Sequence, residues 1–573
     1  MSKKKVIKKQ DKKKDKIFYI GIFLSLSIIS LLVYWNSFFS PFIWDDKYTI
    51  LENHYVKSFK YLPEIFKHHL YYSTAGISNF YRPLQTFFLM IDYKIWKTNP
   101  IGYHLTSFIF HLLTGFISFL IINSLFNKKI ISFLVSLLFL IHPINSTVVD
   151  YISSRADSQA TFFFLLSFFL FLKYIFRKNI LFYISSIISF IMSLLSKELA
   201  IILPFFILFY LYYEKKDYKK SIPFFIIFFI YGILRLTVLK FISPPSQPPN
   251  LYLRLLTTTH SFIKLIGLMF LPLQIHIEKT LPYSKSLFEV ETFLSVVVFV
   301  IIGICIYLLL KKNFKISFFG FLWFFICLLP MANIVPINTT LADHWLYLPG
   351  IGFILGIIGF VYEGIQKLKS KFQDIVKKLF LYIYVLVIII FSFLTVKQNT
   401  IWKDPINFYQ LALKYNPGSF RAHNELGVIY LENNELEKAI FHFEKAISLN
   451  ENFDQAYDNL GIAYDKSGKP EKSIACYEKA LKLNPYSPKT YNNLGNAYTN
   501  LNQFDKAIET YKKAIKLNPQ YKAIYNNLGV VYYKKGILKE AIKYWEKTLE
   551  IDPNFELARK NLEVVKKIHY DEK

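Results

Sequence analysis

Residues 17–46 read IFYIGIFLSLSIISLLVYWNSFFSPFIWDD. From Ile17 to about Phe39 the run is apolar and uncharged, long enough to cross about 30 Å of hydrocarbon as one helix. Its exit carries two adjacent carboxylates, Asp45 and Asp46. An acid pair where a helix leaves lipid loses solvation unless water, a cation or a substrate meets it. The pair therefore points to chemistry or ion handling. Upstream lie Lys3-Lys4-Lys5, Lys8-Lys9 and Lys12-Lys13-Lys14, a run that anchors against anionic lipid on the cytoplasmic side. That places the acids on the opposite side. No small-residue cleavage site follows the span, so it is read as an uncleaved helix and not as a removed signal.

Working outward, the 573 residues are 53% apolar and 18% aromatic, with mean hydropathy +0.30. Most of the chain belongs in a bilayer. A net charge of +28 in a soluble protein would suggest nucleic acid; here Lys and Arg gather at the ends of apolar runs, and no nucleic-acid partner is expected. Cys305, Cys327 and Cys476 are scattered, without metal-ligand spacing, and are assigned to packing.

Further spans are read at 102–126, 130–147, 158–176, 180–195, 199–213, 221–240, 291–310, 316–334, 347–364 and 379–396, about eleven in all. The run 258–275 is shorter and broken by Lys264 and Pro272, so it is read as re-entrant or held within the bundle. Lys128-Lys129, Arg177-Lys178, Lys215-Lys216, Lys219-Lys220, Lys311-Lys312 and the Lys367–Lys378 stretch share the cytoplasmic side only if that run does not cross. The part after residue 400 then lies outside the cytoplasm. If the run crosses, that part is cytoplasmic.

On the first topology one face collects Trp44-Asp45-Asp46, Phe80-Tyr81-Arg82-Pro83-Leu84, His142-Pro143-Ile144-Asn145, Ser154-Arg155-Ala156-Asp157, Ser196-Lys197-Glu198 and Ala342-Asp343-His344. Charged and hydrogen-bonding groups converge at the outer lipid boundary, as a site for a polar headgroup on a lipid tail requires.

After Trp402 the sequence repeats. Leu426-Gly427, Leu460-Gly461, Leu494-Gly495 and Leu528-Gly529 recur every 34 residues, each with a Tyr three beyond the Gly. Ala439, Ser473, Ala507 and Ala541 follow, then Phe443, Tyr477, Tyr511 and Trp545. This is the tetratricopeptide pattern, a helix–turn–helix unit in which small residues let helices approach and the aromatic fills the gap. The organisation is a basic cytoplasmic tail (1–16), a multispanning membrane domain (17–400), a half-repeat junction (401–419), four repeats (420–555), and a capping helix with tail (556–573). Asn459, Asn493 and Asn527 precede three of the Leu-Gly pairs, where Glu425 stands in the first. Stacked amides can bond an extended peptide backbone without reading its sequence. The ladder resembles that of O-linked N-acetylglucosamine transferase, which implies acceptor-peptide binding by these three residues. The bland alternative is a common polar filler in an Asn-rich chain.

The loop segments, in this order and joined to such repeats, resemble the TMTC family, multispanning O-mannosyltransferases of the GT-C glycosyltransferase architecture. The resemblance is carried by Asp45-Asp46, Tyr81-Arg82-Pro83-Leu84, Gly102-Tyr103-His104-Leu105 leading to His111, His142-Pro143, Arg155-Ala156-Asp157, Lys197-Glu198 and Leu346-Tyr347-Leu348-Pro349. It departs at His344, where relatives usually have Arg, and at Asn145, where animal members commonly have His; these put the donor sugar in question. The fold class it implies is all-α: a polytopic GT-C-type membrane bundle followed by a tetratricopeptide α-solenoid.

It further implies transfer of a hexose, mannose first, from a polyprenyl-phosphate donor to Ser or Thr of extracytoplasmic protein. Such a reaction needs a base for the acceptor hydroxyl and cations for the departing phosphate. In this fold an acid opening the first external loop is the base, which names Asp45 or Asp46. Arg82, Arg155 and Lys197 are candidates for the donor phosphate. Asp157 and Glu198 serve directly or as ion-pair partners. His142 is a supporting residue or a helix-terminating one, and Asp343 and His344 contact sugar or acceptor. Asp45, Asp46 and Asp157 offer oxygen ligands for a divalent cation, but a lipid monophosphate leaving group with bases nearby does not require one; no metal is expected. Two other classes compete: a non-catalytic membrane-anchored scaffold, and a lipid-linked sugar transferase acting on glycans. A transporter is disfavoured because the halves of the chain show no inverted repeat.

Overall fold

The computed structural model describes residues 3–71, 80–237, 249–273, 275–277, 279, 281–337 and 339–571. They divide into two compact units, Met1–Asp404 and Pro405–Lys573. Every regular element among the described residues is helical.

In the first unit each expected apolar run is helical among the described residues; 238–240, the end of the 221–240 run, lie outside them. Seven are long and apolar enough to cross a membrane: Asp15–Phe39, Pro100–Phe126, Ile152–Arg177, Tyr218–Thr237, Val290–Lys311, Asp343–Gln366 and Ser370–Lys403. The 130–147 run is a pair, Lys129–Ile141 and Pro143–Val149, bent by 52°, because Pro143 cannot donate the hydrogen bond that would continue the first helix. Ile180–Ser196, Glu198–Tyr213 and Lys315–Met331 are shorter; at 1.5 Å per residue they rise roughly 24–26 Å, less than the hydrocarbon thickness. The helix boundaries follow local chemistry. Asn99 and Asn179 cap their helices through side-chain oxygens that accept from the Ile101 and Leu181 amides. Asn127 and Lys178 close the preceding ones at φ 52° and 53°.

The basic connections gather at one end of this unit. Asp15 pairs with Lys129 at 3.7 Å, and the Lys128 ammonium lies 5.5 Å from the Tyr362 ring. Lys367 donates to the Lys312 carbonyl and sits 4.0 Å from the Phe314 ring. Lys220 sits 5.9 Å from the Tyr174 ring. Of the predicted run 258–275, the part to residue 270 belongs to the helix Leu251–Phe270, continuous through Lys264 and ended before Pro272, that stays at the other end; residue 274 lies outside the described residues. Its Arg254 donates to the Asn333 and Ile334 carbonyls, while the Met269 carbonyl meets His142.

Two contacts draw the helices close. Ser167 and Ser186 each donate to the other's carbonyl at 2.7 Å, and Ser193 donates to the Ala160 carbonyl at 2.6 Å, zipping Arg155–Arg177 to Ile180–Ser196. A Cβ on Gly320 would stand 2.3 Å from the Gly356 amide nitrogen, so the Lys315–Leu328 and Tyr347–Gln366 backbones touch as small residues allow in lipid.

The second unit opens with Pro405–Tyr415 and stacks four helix pairs, from Phe420–Glu432 with Leu436–Leu449 to Lys522–Lys534 with Leu538–Ile551, closed by Glu556–Asp571. A Cβ on Gly427, Gly461, Gly495 or Gly529 would meet Phe443, Tyr477, Tyr511 or Trp545 at 2.5–2.7 Å. Each ring fills the space that its glycine leaves.

Candidate active site

The first helix leads through Trp44, held at φ 56°, a left-handed conformation that costs a bulky residue energy and often marks a functional turn. Directly after it the two acids separate. Asp46 is fully buried; one oxygen accepts from the Ser153 amide (2.8 Å) and hydroxyl (2.6 Å), the other from the Ile43 amide (3.3 Å). Burial, the larger effect, pushes its carboxyl up to about 7 despite those bonds. Asp45 is half-buried. Its amide donates to the Tyr151 hydroxyl at 3.3 Å, and that hydroxyl bonds the Asp45 carboxylate. Tyr151 stacks on Trp402, 5.8 Å between centroids at 18°. Asp46 thus ties the loop to the Tyr151–Ser154 turn, leaving Asp45 as the acid nearer the surface.

The Arg155–Ser196 hairpin returns the chain so that Lys197 meets Asp157 at 2.7 and 2.8 Å. Beside it Arg82, on the turn before Pro83, forks onto Glu198 at 3.0 and 3.3 Å and covers the Phe80 ring at 4.4 Å. Lys197, Asp157 and Arg82 all act electrostatically on His344. A cavity of about 20 Å³, lined among others by Asp157, Lys197, His344 and Tyr347, has room for roughly one water. Tyr71 lies within electrostatic reach of both Arg82 and Tyr151, which joins the cation group to the Asp45 turn.

The other candidates point inward. Arg155 is fully buried and donates to Asp92, to the Ser107 hydroxyl at 3.0 Å and to the Tyr103 carbonyl at 2.5 Å. Both His142 ring nitrogens are engaged, with the Met269 carbonyl and the Ile144 amide. Asp343 is buried and accepts from the His276 amide (2.9 Å) and the Lys279 ammonium (2.7 Å). Among the described residues no three His, Cys, Asp or Glu side chains stand together at metal-ligating range.

In the solenoid the asparagines bind the preceding repeat. Asn459 donates to Asn424 at 2.9 Å, Asn493 to Asp458 at 3.2 Å, and Asn527 to Asn492 and Asn496, both at 3.0 Å. All three are half-buried.

The tetratricopeptide-repeat model matches residues 420–453 and 523–555, and a second TPR-repeat model matches 465–502 and 495–536. The human protein O-mannosyl-transferase TMTC3 is 32% identical over 154 residues, covering 25% of this chain and 17% of its own length. The mouse protein O-mannosyl-transferase TMTC2 is 30% identical over 156 residues, covering 26% and 18%. Over about a quarter of its length the chain is similar to TMTC proteins. The matched stretch spans about a fifth or less of these curated relatives. Among solved structures, a crystal structure of MamA aligns at 31% identity and TM-score 0.25, covering 26% of this chain and 86% of that one.

Three charged residues of this chain escape a reading by loop motif. Asp92 is the partner of Arg155, Lys279 that of Asp343, and Arg235 acts on Glu198 and donates to the Tyr231 hydroxyl at 3.4 Å. Arg235 alone interrupts the apolar helix Ile222–Thr237, and a lone charge in such a helix is a signal in itself.

Proposed function

We propose that the chain is a membrane glycosyltransferase that moves a hexose from a polyprenyl-phosphate donor to hydroxyl groups of protein acceptors recruited by its repeats. What carries the reading is the separation of the acid doublet, with Asp45 left nearer the surface and linked through Tyr151 and Tyr71 to the Arg82–Lys197 group. The names of the relatives support the reaction class.

The acceptor oxygen attacks the anomeric carbon while its proton passes to the Asp45 carboxylate, and the bond from that carbon to the phosphate oxygen breaks. The polyprenyl phosphate departs with the bonding electrons. Arg82 and Lys197 meet the charge it gains, drawn partly from Glu198 and Asp157, with Arg235 holding part of the Glu198 charge as they move. Arg155, saturated by Asp92 and two other acceptors, positions the Pro83–Trp96 helix instead of holding phosphate. Donor binding requires the Lys197–Asp157 pair to part, since the cavity that it lines admits no more than a water.

Membranes supplied with radiolabelled polyprenyl-phosphate hexose test this. Asp45→Asn is expected to lower transfer by about 10²- to 10⁴-fold, the usual loss of a general base, at unchanged protein level. Asp46→Asn is expected to lower the amount of folded protein. Undiminished transfer by Asp45→Asn would refute the assignment.

A further inference from the structure

At the opposite end from Asp45, the Leu203–Tyr213 helix turns into the loop that leads to Tyr218. Between them lies a groove of about 580 Å³, walled by Phe205, Leu208, Tyr212 and Tyr218 and ending at Lys215 and Lys216. Tyr212 is 83% and Tyr218 63% exposed. Paired exposed tyrosines at the end of an apolar helix suit the headgroup level of a bilayer.

The two lysines differ from other cations at this end. Lys128, Lys129, Lys220 and Lys367 each lie against an aromatic ring, and Lys129 also pairs with Asp15. Lys215 and Lys216 are exposed and have no acid or ring partner among the described residues. Of the acids of the loop, Asp217 caps the Lys219 amide, and among the described residues Glu214 forms no ion pair with either lysine.

We propose that this groove binds one anionic glycerophospholipid, with an acyl chain along Phe205, Leu208 and Tyr212 and the phosphate between the Lys215 and Lys216 ammonium groups. The apolar wall selects a chain and the unpaired charges select a negative headgroup. A soluble phosphate ester satisfies only the second and does not stay bound. The site is separate from the proposed sugar-transfer site and does not depend on it.

Native mass spectrometry of the purified full-length protein tests the proposal in micelles containing phosphatidylglycerol and phosphatidylcholine at equal amounts. One phosphatidylglycerol is expected to be retained in preference. The preference should fall by on the order of 30-fold in a Lys215→Gln/Lys216→Gln double variant, about one kcal/mol per lysine near a membrane surface. A Lys311→Gln/Lys312→Gln variant of equal net charge keeps it, and glycerol phosphate at millimolar concentration does not compete. Equal retention of the two lipids in the native protein, or equal loss in both double variants, overturns the proposal.

Discussion

Asp150 sits one residue before Tyr151, 1% exposed, with neither carboxylate oxygen hydrogen-bonded; the Ser37 hydroxyl is near enough to offset part of the effect of burial. Burial pushes its carboxyl from 3.8 up to about 8, and that of Asp46 up to about 7. Between pH 4 and 8 the folded chain therefore holds protons that the unfolded chain releases. This contribution to stability is complete below about pH 4 and is lost as pH rises through 7 to 8. Thermal unfolding of the detergent-solubilised protein should fall in midpoint from pH 5 to pH 8.5, and Asp150→Asn should flatten the fall by a few degrees because the amide has nothing to titrate. An equal slope in the variant would mean that water or a cation already solvates Asp150. None of this was legible in the sequence, where Asp150 looks like any polar residue of a loop. The doublet was legible, but the division of labour was not, because Ser153, which locks Asp46, comes from a turn more than a hundred residues away.

Elements were easier to read than pairings. The apolar runs and the period of 34 named nearly every helix, since each depends on a local pattern of side chains. The ion pairs Arg82–Glu198, Arg155–Asp92 and Lys197–Asp157 join separate elements, and no spacing rule encodes them. The same holds for the asparagine ladder, whose residues are recognisable by period while their hydrogen bonds to the preceding repeat are not. Because Asn527 spans two acceptors of that repeat, Asn527→Ala should destabilise the solenoid by roughly 1–2 kcal/mol, about 1 kcal/mol for each lost bond, with or without peptide. Hydrogen exchange in the Pro488–Asn500 and Lys522–Lys534 helices would register it. A variant with native protection but weaker acceptor capture would instead assign the amide to ligand alone.

The path of the chain through the first unit sets which end carries what. Asp15, Lys128–Lys129, Lys312 and Lys367 lie together. The Ser370–Lys403 helix starts from that end and finishes with Trp402 against Tyr151 and with Asn399 donating to the Val33 carbonyl, beside the close of the first helix. The last residue of this unit, Asp404, thus follows directly on the acid doublet's end. Leu251–Phe270 keeps both termini at this same end, an arrangement that adds no crossing to the expected odd number. The repeats are therefore expected on the same side of the membrane as Asp45, with Lys312 on the other, which gives chemistry and acceptor recruitment one compartment. Single-cysteine variants at Ser487 and Lys312, in a chain whose three native cysteines are serine, would report it through a membrane-impermeant maleimide on intact cells. Labelling is expected at 487 and only after permeabilisation at 312. The reverse pattern, labelling at 312 on intact cells and at 487 only after permeabilisation, would require Leu251–Phe270 to cross after all, and would leave the solenoid unable to present an acceptor to the acid that is proposed to activate it.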